Sequence, residues 1–190
     1  MEFLATRSPR PETEPKQECE LTPLPAARLG DLLAWLPLSW VEEILPYRKV
    51  RILCVGDEAA SFVDALAAKG YQRLAILGTS EERESREWSS QVQWIDCDFT
   101  HFLPAQAFSL WYDPGLFRSL NGLPSRLSYG HAVWNSLLPG GLALIATLSH
   151  ERPSLEGALG PAFQFRSSRN GKILENGREL ALTYSLFERN

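Results

Sequence analysis

One segment constrains this chain more than any other: an apolar strand that runs directly into a glycine turn and a helix. Residues 50–55 are an apolar run rich in β-branched side chains, Gly56 ends it, and residues 59–69 have apolar side chains at helical spacing before Gly70. A strand, a turn and a helix in this order are typical of the first unit of a doubly wound α/β sheet.

The turn after Gly56 is unusual because it lacks further glycines. Ligand-binding turns of this kind use successive glycines to bring the backbone close to the ligand. Here the following residues are Asp57, Glu58, Ala59 and Ala60. Gly56 is compatible with a ligand turn, but the strand-to-helix geometry alone explains it. The adjacent acids could act in acid–base chemistry, but at a helix start they more often stabilise the helix dipole.

The rest of the chain continues the β/α alternation and then changes rhythm. Strands are predicted at residues 74–77, 92–96, 108–112 and 142–147, with helices at 80–88 and 125–138 and a tight turn at residues 139–141. After Thr147, residues 163–168 and 179–187 alternate as strands, with turn signals at 170–171 and 176–177. We expect a mostly parallel seven-stranded sheet with helices on both faces and an antiparallel edge formed by residues 179–187.

The first 50 residues differ from the rest in composition. Residues 1–25 are rich in Pro and Glu and are predicted to be a flexible tail, and residues 26–190 form a single domain. Two short helices, 26–36 and 39–45, are predicted to begin this domain, with Pro37 as a stop and Ser39 as an N-cap. They carry Trp35 and Trp40, which are candidates for exposed anchors that bind a protein partner. Deleting residues 1–46 is expected to leave the core folded.

Composition excludes several classes of function. A net charge of -4, with no lysine-rich block, argues against a nucleic-acid binder. We expect no transmembrane helix, because the longest apolar runs are far shorter than about 20 residues, and no signal peptide. Three cysteines without ligand spacing favour a reducing, cytoplasmic setting. His101, His131 and His150 are widely separated, so no metal site is expected.

Two motifs in the middle of the chain carry a family resemblance. They are residues 94–100, Trp-Ile-Asp-Cys-Asp-Phe-Thr, and residues 108–120, Phe-Ser-Leu-Trp-Tyr-Asp-Pro-Gly-Leu-Phe-Arg-Ser-Leu, followed by Arg126, Tyr129 and Pro139-Gly140-Gly141. Together with the strand order, they resemble the Rossmann-like class I methyltransferase fold that uses S-adenosylmethionine, and within it a bacterial subgroup of small methyltransferases. The resemblance implies a substrate position at Asp113. It implies cofactor positions at Gly56, Asp57, Gly78, Asp98, Phe99 and Tyr112.

The chain departs from this family where the cofactor would bind. Glu58 stands at a glycine position of the first loop, beside the expected methionyl carboxylate, and like charges about 4 Å apart repel by about 4 kcal/mol at an effective dielectric near 20. Gly78 replaces the acidic residue that accepts the ribose hydroxyls, Ser109 replaces an Asp, and Pro114-Gly115 replaces Arg-Ala. Asp98, which contacts the adenine amine in the family, is retained, although a local loop cap explains it equally well.

These observations leave three functional hypotheses. The first is a methyltransferase-like pseudoenzyme with no catalytic residues and no cofactor, which acts as a binding or assembly subunit of a larger complex. The second is an active methyltransferase on a small molecule, which binds S-adenosylmethionine and uses Glu81 or Glu82 as the ribose acceptor. The third is a domain that binds another metabolite near Asp98 and Tyr112. Fold analogy alone does not decide between them.

Overall fold

A computed structural model describes residues 29–78, 92–175 and 178–190. The helices are α1 (Leu29–Ile44), α2 (Ala60–Ala68), α3 (Leu116–Ser119), α4 (Leu123–Ser136) and α5 (Arg152–Leu159). The strands are β1 (Arg51–Val55), β2 (Arg73–Gly78), β3 (Val92–Asp96), β4 (Phe108–Asp113), β5 (Leu137–Leu148), β6 (Phe163–Glu175) and β7 (Arg178–Arg189). The predicted tail, the predicted helix at 80–88 and the predicted turn at 176–177 lie outside the described residues.

The seven strands form one sheet in the order β3-β2-β1-β4-β5-β7-β6. The first five strands in this order are parallel, and β7 is antiparallel to both of its neighbours. This confirms the predicted mostly parallel sheet with an antiparallel C-terminal hairpin. The predicted edge is wrong, because β7 lies inside the sheet and β6 forms the edge. Residues 182–187 are buried and residues 164–168 are exposed, so the more apolar strand takes the interior position.

Side-chain alternation along β1 divides the core into two layers. Ile52 and Cys54 pack on one face with residues of α1 and α2, whereas Leu53 and Val55 pack on the other face with residues of α4 and α5. Central parallel strands that are covered on both faces are apolar along their buried length, as β1 is from Ile52 to Val55. Helices therefore cover both faces of the sheet. No helix among the described residues is long and apolar enough to cross a membrane.

The N-terminal region corrects the prediction of two short helices. A single helix, α1, continues through Pro37, and the Ser39 hydroxyl lies inside it, donating to the Leu36 carbonyl at 3.0 Å instead of capping a new helix. The prediction that Trp40 is exposed is wrong, since its side chain is only 2% exposed and packs in the core with Val41. Burial of this segment compensates for the backbone hydrogen bond that proline cannot make. The side chain of Trp35 lies outside the described residues.

This burial also corrects the expected effect of a long deletion. Removing residues 1–46 would take away Trp40 and Val41 and leave the hydroxyl of buried Tyr71 without the Leu45 carbonyl to which it donates at 2.7 Å. The core is therefore not expected to remain intact without α1.

Of the two turns that glycine-containing motifs predict at residues 139–141 and 170–171, the structure shows the first. Pro139-Gly140-Gly141 loops out between Leu137, which is in register with Phe108, and Leu142, which is in register with Leu110; Gly140 has φ +73°. The predicted turn at Asn170-Gly171 is wrong, because both residues lie in β6 and pair with β7. A Cβ at position 171 would lie 3.1 Å from the Tyr184 ring and 3.3 Å from the Leu36 side chain, so close packing explains this glycine.

Two glycines at the contact between α4 and α5 provide a matched test of this packing. A Cβ at Gly130 would overlap the Ala158 carbonyl, whereas a Cβ at Gly157 meets nothing within 4 Å. We expect Gly130→Ala to destabilise the fold by about 1–3 kcal/mol through overpacking. Gly157→Ala should be neutral or stabilise it by up to about 1 kcal/mol through helix propensity. Urea denaturation of both variants measures the difference, and equal effects would contradict the described helix contact.

Candidate functional site

The candidate site lies at the carboxyl edge of the sheet, where β1, β2 and β4 end side by side. Because β1 lies between β2 and β4, this edge brings together Gly56, Gly78 and Asp113, which follow or end those three strands. Gly56 has φ +79°, a backbone conformation that favours glycine, and its N–H donates to the Leu77 carbonyl at 3.0 Å. The turn is therefore anchored to β2. Open α/β sheets bind ligands at such an edge.

Glu58 reaches across this edge from the β1 loop to the β4 loop. Its Oε2 atom lies 3.3 Å from Nη2 of Arg118, a residue of α3. The same carboxylate lies against the backbone of Gly115, and a Cβ at position 115 would overlap it. The Arg118 side chain is 13% exposed and that of Glu58 is 55% exposed. The ion pair therefore bridges the gap between the β1 and β4 loops. Arg118 lies on its buried side, and part of the Glu58 carboxylate is exposed to water.

Arg118 was not identified as a site residue from the sequence, because α3 is only four residues long and carries no periodic pattern. Its Nε atom is buried and has no hydrogen-bond partner among the described residues. A guanidinium in this position attracts a carboxylate strongly, because arginine keeps its charge and its planar group fits carboxylate oxygens. In this chain, the carboxylate that pairs with the guanidinium is that of Glu58.

Tyr112 and Tyr184 are buried close enough to this ion pair for its charges to influence their pKa values. Tyr112 is 2% exposed, and its ring packs against Phe62 of α2 with centroids 3.9 Å apart. Burial raises the pKa of Tyr112 well above its usual value. Burial also raises the pKa of Tyr184, although the nearby Arg118 guanidinium opposes this shift. Both phenols therefore remain neutral, and both are buried side chains next to the site. Tyr184 was also missed as a site residue, because only the order of the strands in the sheet brings β7 to this part of the structure.

Asp113 ends β4 and is fully buried. Its carboxylate accepts hydrogen bonds from the backbone N–H groups of Gly115 (2.8 Å), Leu116 (2.6 Å) and Phe117 (2.9 Å), and from the Tyr129 hydroxyl (2.5 Å). Burial raises the pKa of Asp113 to about 6, and these hydrogen bonds oppose the shift. The four bonds are all made to the protein itself, so Asp113 holds the start of α3. A substrate contact at Asp113 stays a prediction.

Asp98 follows β3 and forms a local cap. Its Oδ1 atom accepts from the backbone N–H of Thr100 at 2.7 Å and from the Thr100 hydroxyl at 2.5 Å. These hydrogen bonds hold the pKa of Asp98 below its usual value. The neighbouring Phe99 ring packs edge-on against Tyr129, with centroids 6.1 Å apart. The cap is present in the structure, and an adenine contact at Asp98 or Phe99 stays a prediction.

The remaining predicted positions offer little chemistry. Gly78, the last residue of β2, pairs with Asp96 and contributes no side chain where a ribose acceptor would stand. Asp57 begins a short 3-10 helix, and its side chain lies outside the described residues. Within residues 29–78, 92–175 and 178–190, no group of three His, Cys, Asp or Glu side chains has the arrangement of a metal site.

Several solved structures that resemble this chain are methyltransferases. The chain is similar to the N-methyltransferase NodS from Bradyrhizobium japonicum in complex with S-adenosyl-L-homocysteine, at 17% identity and a TM-score of 0.59 over 74% of this chain and 79% of NodS. It is similar to the 1,6-didemethyltoxoflavin-N1-methyltransferase of Burkholderia thailandensis, at 12% identity and a TM-score of 0.64 over 84% and 79% of the two chains. It is also similar to a predicted O-methyltransferase from Agrobacterium tumefaciens, at 16% identity and 0.58 over 85% and 80%.

No protein-family model matches the chain, and no curated protein matches it in sequence. The structural likeness, together with the strand order, shows that the chain has the class I methyltransferase fold. This confirms the resemblance and the predicted architecture.

The raised pKa of Asp113 predicts a pH dependence of stability. The folded chain holds this proton more tightly than the unfolded chain, so the stabilisation is greatest at low pH and is lost as pH rises through about 6. Relative to Asp113→Asn, the native chain should lose about 2 kcal/mol of stability between pH 4.5 and 7.5. Urea denaturation of both proteins at the two pH values measures this. If the stability of the native chain relative to Asp113→Asn instead rises with pH, the four hydrogen-bond donors lower the pKa of Asp113 more than burial raises it.

Proposed function

We propose that this protein is a methyltransferase-like pseudoenzyme that acts as a non-catalytic binding subunit. The observation that carries the proposal is the Glu58 side chain, which spans the gap between the β1 and β4 loops and pairs with Arg118. A carboxylate in this gap repels the carboxylate of an incoming S-adenosylmethionine. Pairing with Arg118 and exposure to water weaken that repulsion, so about 4 kcal/mol is its upper bound.

Two further features support weak or absent cofactor binding. Gly78 leaves the ribose hydroxyls without the charged acceptor used in the family, and hydrogen bonds to charged groups contribute about 1.5–3 kcal/mol each. The Oδ1 atom of Asp98 already accepts two hydrogen bonds from Thr100, so only Oδ2 is available to an adenine amine. The described residues therefore do not fit the cofactor. An active methyltransferase would require Glu81 or Glu82, which lie outside the described residues, to replace Gly78.

The outer face of α4 supports a protein-binding role. Leu123, Leu127 and Trp134 follow helical spacing and are 67%, 41% and 43% exposed. They lie beside a groove of about 460 Å³ between α4 and α5, lined mainly by apolar and small residues. Exposed apolar surfaces of this kind mark interaction sites. Because Trp40 is buried, this face is a better candidate for the partner surface than α1, although residues 1–25 stay a predicted binding segment.

Ligand binding tests the first part of the proposal. Millimolar S-adenosylmethionine or S-adenosylhomocysteine should leave the melting temperature unchanged, whereas binding at 100 times the dissociation constant would add about 2.7 kcal/mol and raise it by about 5–10 °C. A clear increase would refute the pseudoenzyme proposal. Calorimetric titration should give the same answer.

Replacing the two obstructing residues gives a sharper test. The double variant Glu58→Gly, Gly78→Asp should gain measurable affinity for S-adenosylhomocysteine. Glu58→Gln in the Gly78→Asp background keeps the bulk but removes the charge, and thus separates repulsion from steric closure. If the glycine variant binds and the glutamine variant does not, bulk is decisive; if neither binds, Glu58 is not what excludes the cofactor.

Partner binding tests the second part. Leu127→Ser should reduce stoichiometric co-purification with a native complex by at least tenfold, because it removes an exposed apolar contact from the α4 face. Leu103→Ser is the matched control, since Leu103 is 76% exposed and does not line the groove. Circular dichroism checks that both variants are folded. A native protein that remains a lone monomer at its cellular concentration would contradict the assembly role.

A further inference from the structure

The opposite edge of the sheet, where the parallel strands begin, carries a separate cavity of about 190 Å³. It is lined by residues Arg51, Gln72, Arg73, Leu74, Ala75, Gln93 and Phe108. This volume is many times what one water molecule needs. The cavity lies at the amino ends of β1 and β2, whereas Glu58 and Arg118 lie beyond the carboxyl ends of the strands. The two sites are therefore independent.

Two arginines stand side by side in this cavity. Arg51 and Arg73 are in-register partners at the start of the parallel strands β1 and β2, which places their backbones about 4.8 Å apart. Their side chains belong to the same face of the sheet, because Leu53 and Ala75, two residues further along each strand, pack in the same core cluster. Like charges in such neighbouring positions repel.

No carboxylate offsets this charge among the described residues that line the cavity. Arg51 donates to the Gln106 side-chain oxygen and lies 4.8 Å from the centre of the Phe108 ring, so both of its contacts are with neutral groups. In the described part of the chain, Arg73 takes part in no ion pair. Other arginines differ: Arg152 pairs with Glu156 at 2.8 Å and Arg166 with Glu188 at 2.7 Å.

We propose that this cavity binds a phosphate group as the dianion. Two guanidinium groups match its charge and offer paired N–H donors in the geometry that phosphate oxygens accept. The amide of Gln93, which lies on the same face because Gln93 is the in-register partner of Ala75, can donate to a remaining oxygen. The contacts that Arg51 makes with Phe108 and Gln106 orient its guanidinium before the anion arrives. The phosphate group belongs either to a free small molecule or to a phosphorylated partner protein.

Inorganic phosphate is the first probe, with chloride at equal ionic strength as the reference. At about five times its dissociation constant, phosphate should raise the melting temperature by about 2–4 °C. Arg73→Gln should abolish this shift, and Arg166→Gln, which removes the same charge on β6, should retain it. The control also accounts for the general stabilisation that phosphate gives to folded proteins. Equal shifts in all three proteins would overturn the proposal.

The ligand-free protein supplies a second readout. If the two arginines repel each other while no anion is bound, Arg73→Gln should raise the melting temperature in chloride, whereas a purely structural role for Arg73 would lower it. A phosphoserine peptide is the second probe. A peptide that binds at least tenfold more tightly than inorganic phosphate identifies a protein source, and equal affinities identify recognition of the phosphate group alone. Binding of neither probe would refute the site.

Discussion

The buried carboxylate of Asp113 is the interaction on which the carboxyl edge of the sheet depends. It ends the central strand β4, caps the short helix α3 through three backbone N–H groups, and accepts the Tyr129 hydroxyl from α4. Tyr129 in turn accepts a hydrogen bond from the Trp111 indole at 3.1 Å. An ionised group is costly to bury unless it is fully hydrogen-bonded, and this network meets that condition. Arg118 belongs to α3, which this network holds in place. The network therefore also fixes the position of Arg118 opposite Glu58.

At this edge of the sheet, the residues that maintain the fold differ from the residues that would contact a cofactor. The residues that build the turn and the caps are retained and well bonded, whereas the positions that would contact a cofactor carry a paired carboxylate at Glu58 and no side chain at Gly78. Buried polar groups need hydrogen-bond partners whatever the site binds, so the first set of residues supports the fold independently of a cofactor. The two binding surfaces that we propose, the apolar face of α4 and the basic cavity at the amino edge, do not include these positions.

The sequence predicted four of the parallel strands well: the predicted bounds of β3 agree with the structure, and those of β1, β2 and β4 differ by no more than one residue at either end. The start of β5 was predicted at residue 142, but the strand begins at Leu137, because Leu137 pairs with Phe108 in the sheet instead of continuing the preceding helix. The sequence predicted α1 and β6 less well. Pro37 and Asn170-Gly171 are strong local breaking signals, and tertiary packing overrides both of them. Arg118 and Tyr184 could not be predicted as neighbours of Glu58, because their proximity depends on the order of strands in the sheet and on a cap made by Asp113.

The interior position of β7 has a consequence for the way the chain is made. The five parallel strands, β1 to β5, can pair with one another before β7 is made, but β6 has no place in the sheet until β7 lies between it and β5. β5 also keeps an open edge until then, and open edges invite pairing with other chains. Synthesis proceeds at about 5–20 residues per second, so this exposure lasts for seconds while residues 149–189 are added. A nascent chain that stalls before Arg178 would therefore present an apolar edge to the cell, and its safe release depends on the final strand arriving promptly.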